Sequence, residues 1–233
     1  VVAILGKTEG NGCVNDFTRG YATSSFEALF HRHGVEGVSI VMSGGTEGAL
    51  SPHWTVFARE ETDAPATRAL AIGAARTPAL PSHDLGRRAQ VLMVADAVKA
   101  AIRDAGIEDL ADVHFVQIKC PLLTSDRVAA ASARGNKTAT TSAYGSMAYS
   151  RGASALGVAV ALGETGSDIS DGDVLRRYDL FSKVASTSAG IELMHNVVIV
   201  LGNSAASASE FEIGHAVMND AIDAAAVTSA LKS

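Results

Sequence analysis

The sequence predicts an α/β fold of pseudo-symmetric repeated units, each a mixed sheet packed with helices. Three observations predict it. Short β-branched runs at 38–42, 113–118 and 197–201 alternate with longer segments of helical periodicity, such as 84–105. Hydrophobic residues are 47% of the 233 residues and charged residues 19%, which is a globular composition. A set of Lys, Arg and Ser recurs in the same order in the two halves of the chain.

The elements follow in order. Residues 1–5 read as a strand closed by Gly6, and 7–15 as a polar loop with Gly10 and Gly12. Phe26, Leu29 and Phe30 mark a helix over 23–33 with Gly34 as its stop. A strand at 38–42 runs into the glycine-rich stretch Ser43-Gly44-Gly45-Thr46-Glu47-Gly48, and strands follow at 54–58 and 69–74. Leu92, Val94, Val98 and Ile102 form the inner face of the helix 84–105, which Gly106 ends. The pattern then restarts. A strand at 113–118 leads into Lys119, and a short helix spans 125–134 with Thr124 or Ser125 as N-cap. A small-residue helix spans 147–162 around Arg151, and a loop covers 163–173. Strands at 197–201 and 210–213 and a helix at 219–231 complete the reading.

The restart repeats side chains as well as elements. Lys7 at a strand end matches Lys119, Arg19-Gly20 matches Arg151-Gly152, and Ser43-Gly44-Gly45-Thr46-Glu47 matches Ser188-Ala189-Gly190-Ile191-Glu192. His53 and Ile72-Gly73 match His195 and Ile213-Gly214. We divide the chain into a first unit at 1–105 and a second at 106–233. Units related by a rotation axis aim equivalent side chains at a shared centre. Lys, Arg and Ser there offer many hydrogen-bond donors, which suits a small ligand rich in carbonyl oxygens.

Composition excludes other classes. The net charge is −6 and no Lys/Arg stripe is present, which argues against a nucleic-acid partner. The apolar runs are strand-sized, well below the roughly 18 residues of a membrane span, so a cytoplasmic protein is expected. Two cysteines, Cys13 and Cys120, make neither a disulfide framework nor a zinc site, and both read as small buried thiols. Gly6-Lys7-Thr8 lacks the upstream glycine of a phosphate-binding loop, so the ATPase reading fails. The chain opens on Val within a strand and closes within a helix, so a fragment is expected at both ends.

Several long motifs resemble the cyanuric acid hydrolase/barbiturase family of cyclic amide hydrolases. They are 6–12, 15–19, 43–48, Ser51-Pro52-His53, 119–124 and 152–157. Arg151 within 149–152 and the stretch 188–192 resemble its cyanuric acid branch. The resemblance implies three units around a pseudo-threefold axis, of which two are present here, and a homotetramer. It implies hydrolysis of cyanuric acid with no cofactor, Ser188 being the nucleophile and Lys119 its general base. Arg19, Ser43, Gly44, Arg151, Ala189 and Lys7 are the implied substrate-binding residues. The family's metal site belongs to the absent unit, so no metal ligand is assigned.

Each residue has a plainer reading. Ser43 before two glycines is a turn residue on its own, and Lys7 and Lys119 at strand ends are solvated. Arg19 and Arg151 can bridge to Glu47 and Glu192, and those glutamates can orient a Lys or Arg or cap a helix. His53 and His195 are structural. Spacing alone ranks Ser43 and Ser188 equally, with Ser186 as a rival. Two alternative functions stand beside the first: the same chemistry on barbituric acid, and a non-catalytic small-molecule-binding module.

Overall fold

The computed structural model describes residues 2–45 and 52–232. Val1, Thr46, Glu47, Gly48 and Ser51, which carry parts of the readings above, lie outside the described residues.

Strands β1 (Ala3–Lys7), β2 (Ser39–Ser43) and β3 (His53–Phe57) form one sheet in the order β2-β1-β3. Strands β4 (Ala69–Arg76), β5 (Val113–Pro121), β6 (Ala185–Gly190) and β7 (Val197–Ser204) form a second in the order β4-β7-β5-β6. The first two strands of each repeat, β1 with β2 and β5 with β6, pair in parallel. The third, β3 or β7, returns antiparallel beside the first. Helix α1 (Phe17–Arg32) joins the parallel strands of the first copy; α3 (Ser125–Ala133) and α4 (Ala143–Ala161) lie between those of the second. The repeated unit is therefore a β-α-β-β motif. Strand β4 and α2 (Arg88–Asp104) precede residue 106 and belong to the second sheet, β4 pairing with β7 and α2 packing on β4 and α4.

Strand alternation sorts the side chains into layers. Ile4, Val38, Ile40 and Met42 face α1 through Ala22, Phe26 and Phe30. Val116, Ile118, Cys120, Val198 and Val200 face α2 and α4. Ala3, Val41, Ile72, Val197, Ile199 and Leu201 form a cluster shared by both sheets. The order is helix, sheet, sheet, helices. Gly157 lets α2 and α4 meet closely, because a Cβ there would stand 2.7 Å from Val94 Cβ. No helix among the described residues is long and apolar enough to cross a membrane.

Several boundaries differ from the sequence reading. Helix α1 starts at Phe17, before residue 23, because Asp16 caps it by accepting from Thr18 N at 3.0 Å. Helix α4 starts at Ala143, capped by Ser142. Strand β6 (ASTSAG) has little apolar content; its pairing with β5 makes it a strand. The strand expected at 210–213 is irregular, because Asn203 takes both backbone groups of Ile213, at 2.8 and 3.0 Å. The last expected helix shortens to α5 (Ala224–Ala230), capped by Asp223. Cys120 is buried as expected, whereas Cys13 is exposed in the polar loop before α1.

Candidate active site

The register of the two parallel pairs sets the site. Lys7 lies opposite Ser43 across β1 and β2, and Lys119 lies opposite Ser188 across β5 and β6. On β1, β2 and β5 these residues continue the face that the inter-sheet cluster occupies, and on β6 Ala185 and Ala189 take the opposite, helix-packed face. All four side chains therefore project into the layer between the sheets. Ser186, the rival serine, lies opposite Gln117.

Four side chains of both halves meet there. Lys119 Nζ lies 3.2 Å from Ser188 Oγ, and Ser43 Oγ lies 3.1 Å from the same oxygen. Lys119 Nζ also donates to the Met42 carbonyl and pairs with Glu192 Oε1 at 3.0 Å. Lys119 is 1% exposed. Burial pushes its pKa below the ordinary lysine value, the Arg19 charge adds to that, and Glu192 opposes both. Nζ donates to Met42 O and to Ser188 Oγ, and the Ser43 hydroxyl donates to the same Ser188 oxygen, so one chain of contacts joins Ser43, Ser188 and Lys119.

The backbone around the chain is fixed by further contacts. Thr8 N donates to Ser43 O at 2.9 Å, and Lys7 Nζ donates to Gly44 O at 3.2 Å. Arg19, 1% exposed, reaches from α1 to the other half and donates to Ala189 O at 2.9 Å, with a second bond to Cys13 O at 2.6 Å. Cys120 Sγ lies 3.5 Å from Ser188 O, and burial pushes its thiol pKa up, so it stays a neutral thiol. Arg151 lies on α4 with Nε donating to Met147 O at 3.2 Å, and among the described residues it joins none of the hydrogen bonds of this cluster. Glu192 pairs with Lys119, while the expected Arg151–Glu192 bridge does not form. Glu47 lies outside the described residues. His195 has its pKa pushed down by burial and by Arg76, with Glu27 opposing.

Two supporting groups escaped the sequence reading. Asp16 is 3% exposed and fills a cradle whose glycines leave it room; a Cβ on Gly10 or Gly44 would stand 1.7 or 1.8 Å from its carboxylate. Its oxygens accept from Gly12 N at 2.9 Å and from the Thr18 hydroxyl and amide at 2.6 and 3.0 Å. Burial works against its ionisation, yet these bonds and Arg19 outweigh it and hold the pKa below the ordinary value. The signal was an Asp directly before a helical period. The second group is Gln90, fully buried, which bonds Ser150 Oγ, Ser154 Oγ and Asn196 Oδ1 at 3.0, 3.2 and 3.2 Å and ties α2 to α4. Nothing in local spacing marks that long-range network.

A buried lysine–serine pair, joined by a serine from the other copy of the same β-α-β-β motif, defines a class of internally repeated α/β proteins. Residues 1–233 match the amidohydrolase ring-opening protein family, and the chain belongs to it. It is 74% identical over 243 residues to a cyanuric acid amidohydrolase of Bradyrhizobium diazoefficiens, covering 100% of this chain and 66% of that protein. A second relative of that name, from Rhizobium leguminosarum, is 67% identical over 231 residues, covering 99% of this chain and 66% of its own length. The chain is similar to the crystal structure of a cyanuric acid hydrolase from A. caulinodans, with a TM-score of 0.95 and 54% identity over 99% of this chain and 66% of that one. A cyanuric acid hydrolase described as an evolutionary innovation by structural concatenation gives 0.94 at 52% identity, over the same shares of the two chains. The chain thus spans just under two thirds of the length of these relatives.

Proposed function

We propose that the protein is a cyclic amide hydrolase that opens the ring of cyanuric acid. The observation that carries this reading is the contact between the buried Lys119 amine and Ser188 Oγ at 3.2 Å. A serine hydroxyl needs an adjacent base, and a desolvated lysine near a cation is one. Ser188 O–H gives its proton to Lys119 as Oγ bonds a ring carbonyl carbon. The resulting ammonium returns the proton to the ring nitrogen as the C–N bond breaks. Water then cleaves the acyl-enzyme to carboxybiuret, which loses carbon dioxide to give biuret.

The family resemblance supports roles for the remaining residues. Ser43, the Gly44 amide and the Ala189 amide hold the substrate and the developing oxyanion. Arg19 and Arg151 bring guanidinium donors to ring carbonyl oxygens, Arg19 with those not already spent on Ala189 O and Cys13 O. Lys7 adds positive charge from the opposite strand pair. The test is release of biuret and carbon dioxide from cyanuric acid, with barbituric acid assayed in parallel. Turnover of cyanuric acid supports the reading. Turnover of barbituric acid alone replaces it with barbiturase, and binding of either ring without turnover replaces it with a binding module.

A further inference from the structure

Glu192 is a buried carboxylate of unusual surroundings. Its side chain is 9% exposed, its Oε1 lies 3.0 Å from Lys119 Nζ, and neither carboxylate oxygen meets another hydrogen-bond donor among the described residues. Asp16, the other buried carboxylate of this region, is held by two amides and a hydroxyl. Glu192 therefore has Lys119 as its main source of stabilisation. The chain makes room for this contact: a Cβ on Gly190 would stand 2.1 Å from Glu192 Oε2. Gly190 has no positive φ, so a steric demand of the folded carboxylate explains a glycine there.

We propose that Glu192 is the positioning residue of the Lys119 base, holding Nζ against Ser188 and stabilising the ammonium formed when Lys119 takes the seryl proton. The inference rests on the reading of Lys119 as base. The proton passes from Ser188 Oγ to Lys119 Nζ and from there to the leaving ring nitrogen, and Glu192 stays a carboxylate throughout. The charged and titratable groups around the pair are Arg19 from α1, Cys120 from β5 and Arg127 from α3. Arg19 favours the neutral amine and Glu192 the ammonium, so the two set the balance of Lys119 between them.

The signs separate this role from a structural one. Activity requires the neutral amine, so kcat/KM rises with pH through the Lys119 pKa. Glu192 raises that pKa. Glu192→Gln, nearly isosteric, moves the acid limb of kcat/KM to lower pH while the plateau kcat falls about tenfold or more. Gly190→Ala, which displaces the carboxylate, shifts the limb in the same direction, and Glu192→Asp keeps it close to the parent. NMR titration of ε-labelled lysine reads the Lys119 midpoint without turnover, and it moves down in Glu192→Gln. An acid limb and a Lys119 midpoint that stay in place in Glu192→Gln, or move to higher pH, overturn the proposal. Full activity in Lys119→Ala overturns instead the base assignment beneath it.

Discussion

The two halves of the molecule share a register but not an environment. Lys7 faces Ser43 and Lys119 faces Ser188 at the same place in equivalent parallel strand pairs. Lys119 is enclosed by the Met42 carbonyl, Glu192 and Ser188, and burial pulls its pKa down. Lys7 is half-buried and donates to the Gly44 carbonyl, and the Ser43 hydroxyl turns to Ser188 in the other half. Duplication supplies matching donors, and the surroundings of the two lysines then set them apart.

The largest effect expected separates the halves directly. Lys119→Ala or Ser188→Ala lowers kcat by about a thousandfold or more, because nucleophile and base act as a unit. Lys7→Ala or Ser43→Ala costs about ten- to hundredfold, the scale of losing a positioned donor. Steady-state kinetics on the four variants checks this, and equal losses would erase the distinction between the copies.

Much of this was legible in the sequence, for a physical reason. Strand alternation is local and the Lys, Arg, Ser order recurs along the chain, so the α/β class and the repeat can be read from spacing. The partner of Glu192 was not readable, since Lys119 and Arg151 both offered a cation and only the β5–β6 register brings Lys119 against it. Strand β6 escaped because ASTSAG carries no apolar alternation and borrows its conformation from β5. The strand expected at 210–213 failed in the opposite sense: its residues suit a strand, but the side chain of Asn203 takes the backbone groups that a ladder would use.

A smaller effect sharpens the comparison from the first half. Asp16 caps α1 and pairs with Arg19 at 3.7 Å, so it holds the helix that reaches across to Ala189. Asp16→Ala removes the cap and leaves buried amides unpaired, costing about 1–2 kcal/mol in thermal or denaturant unfolding. Gly44→Ala acts on the same carboxylate by crowding it. Asp16 has a folded pKa below its unfolded value. Its contribution is therefore complete above the unfolded pKa and is lost as pH falls through the folded one. The stability gap between parent and Asp16→Ala narrows in acid; a gap that widens there would contradict this account of the cap.

The most direct measurement is to trap the acyl-enzyme by rapid acid quench during turnover of cyanuric acid and to map the modified peptide by mass spectrometry. The account predicts the added mass on Ser188, absent in Lys119→Ala. An adduct on Ser43, or turnover with no serine modified, would contradict it.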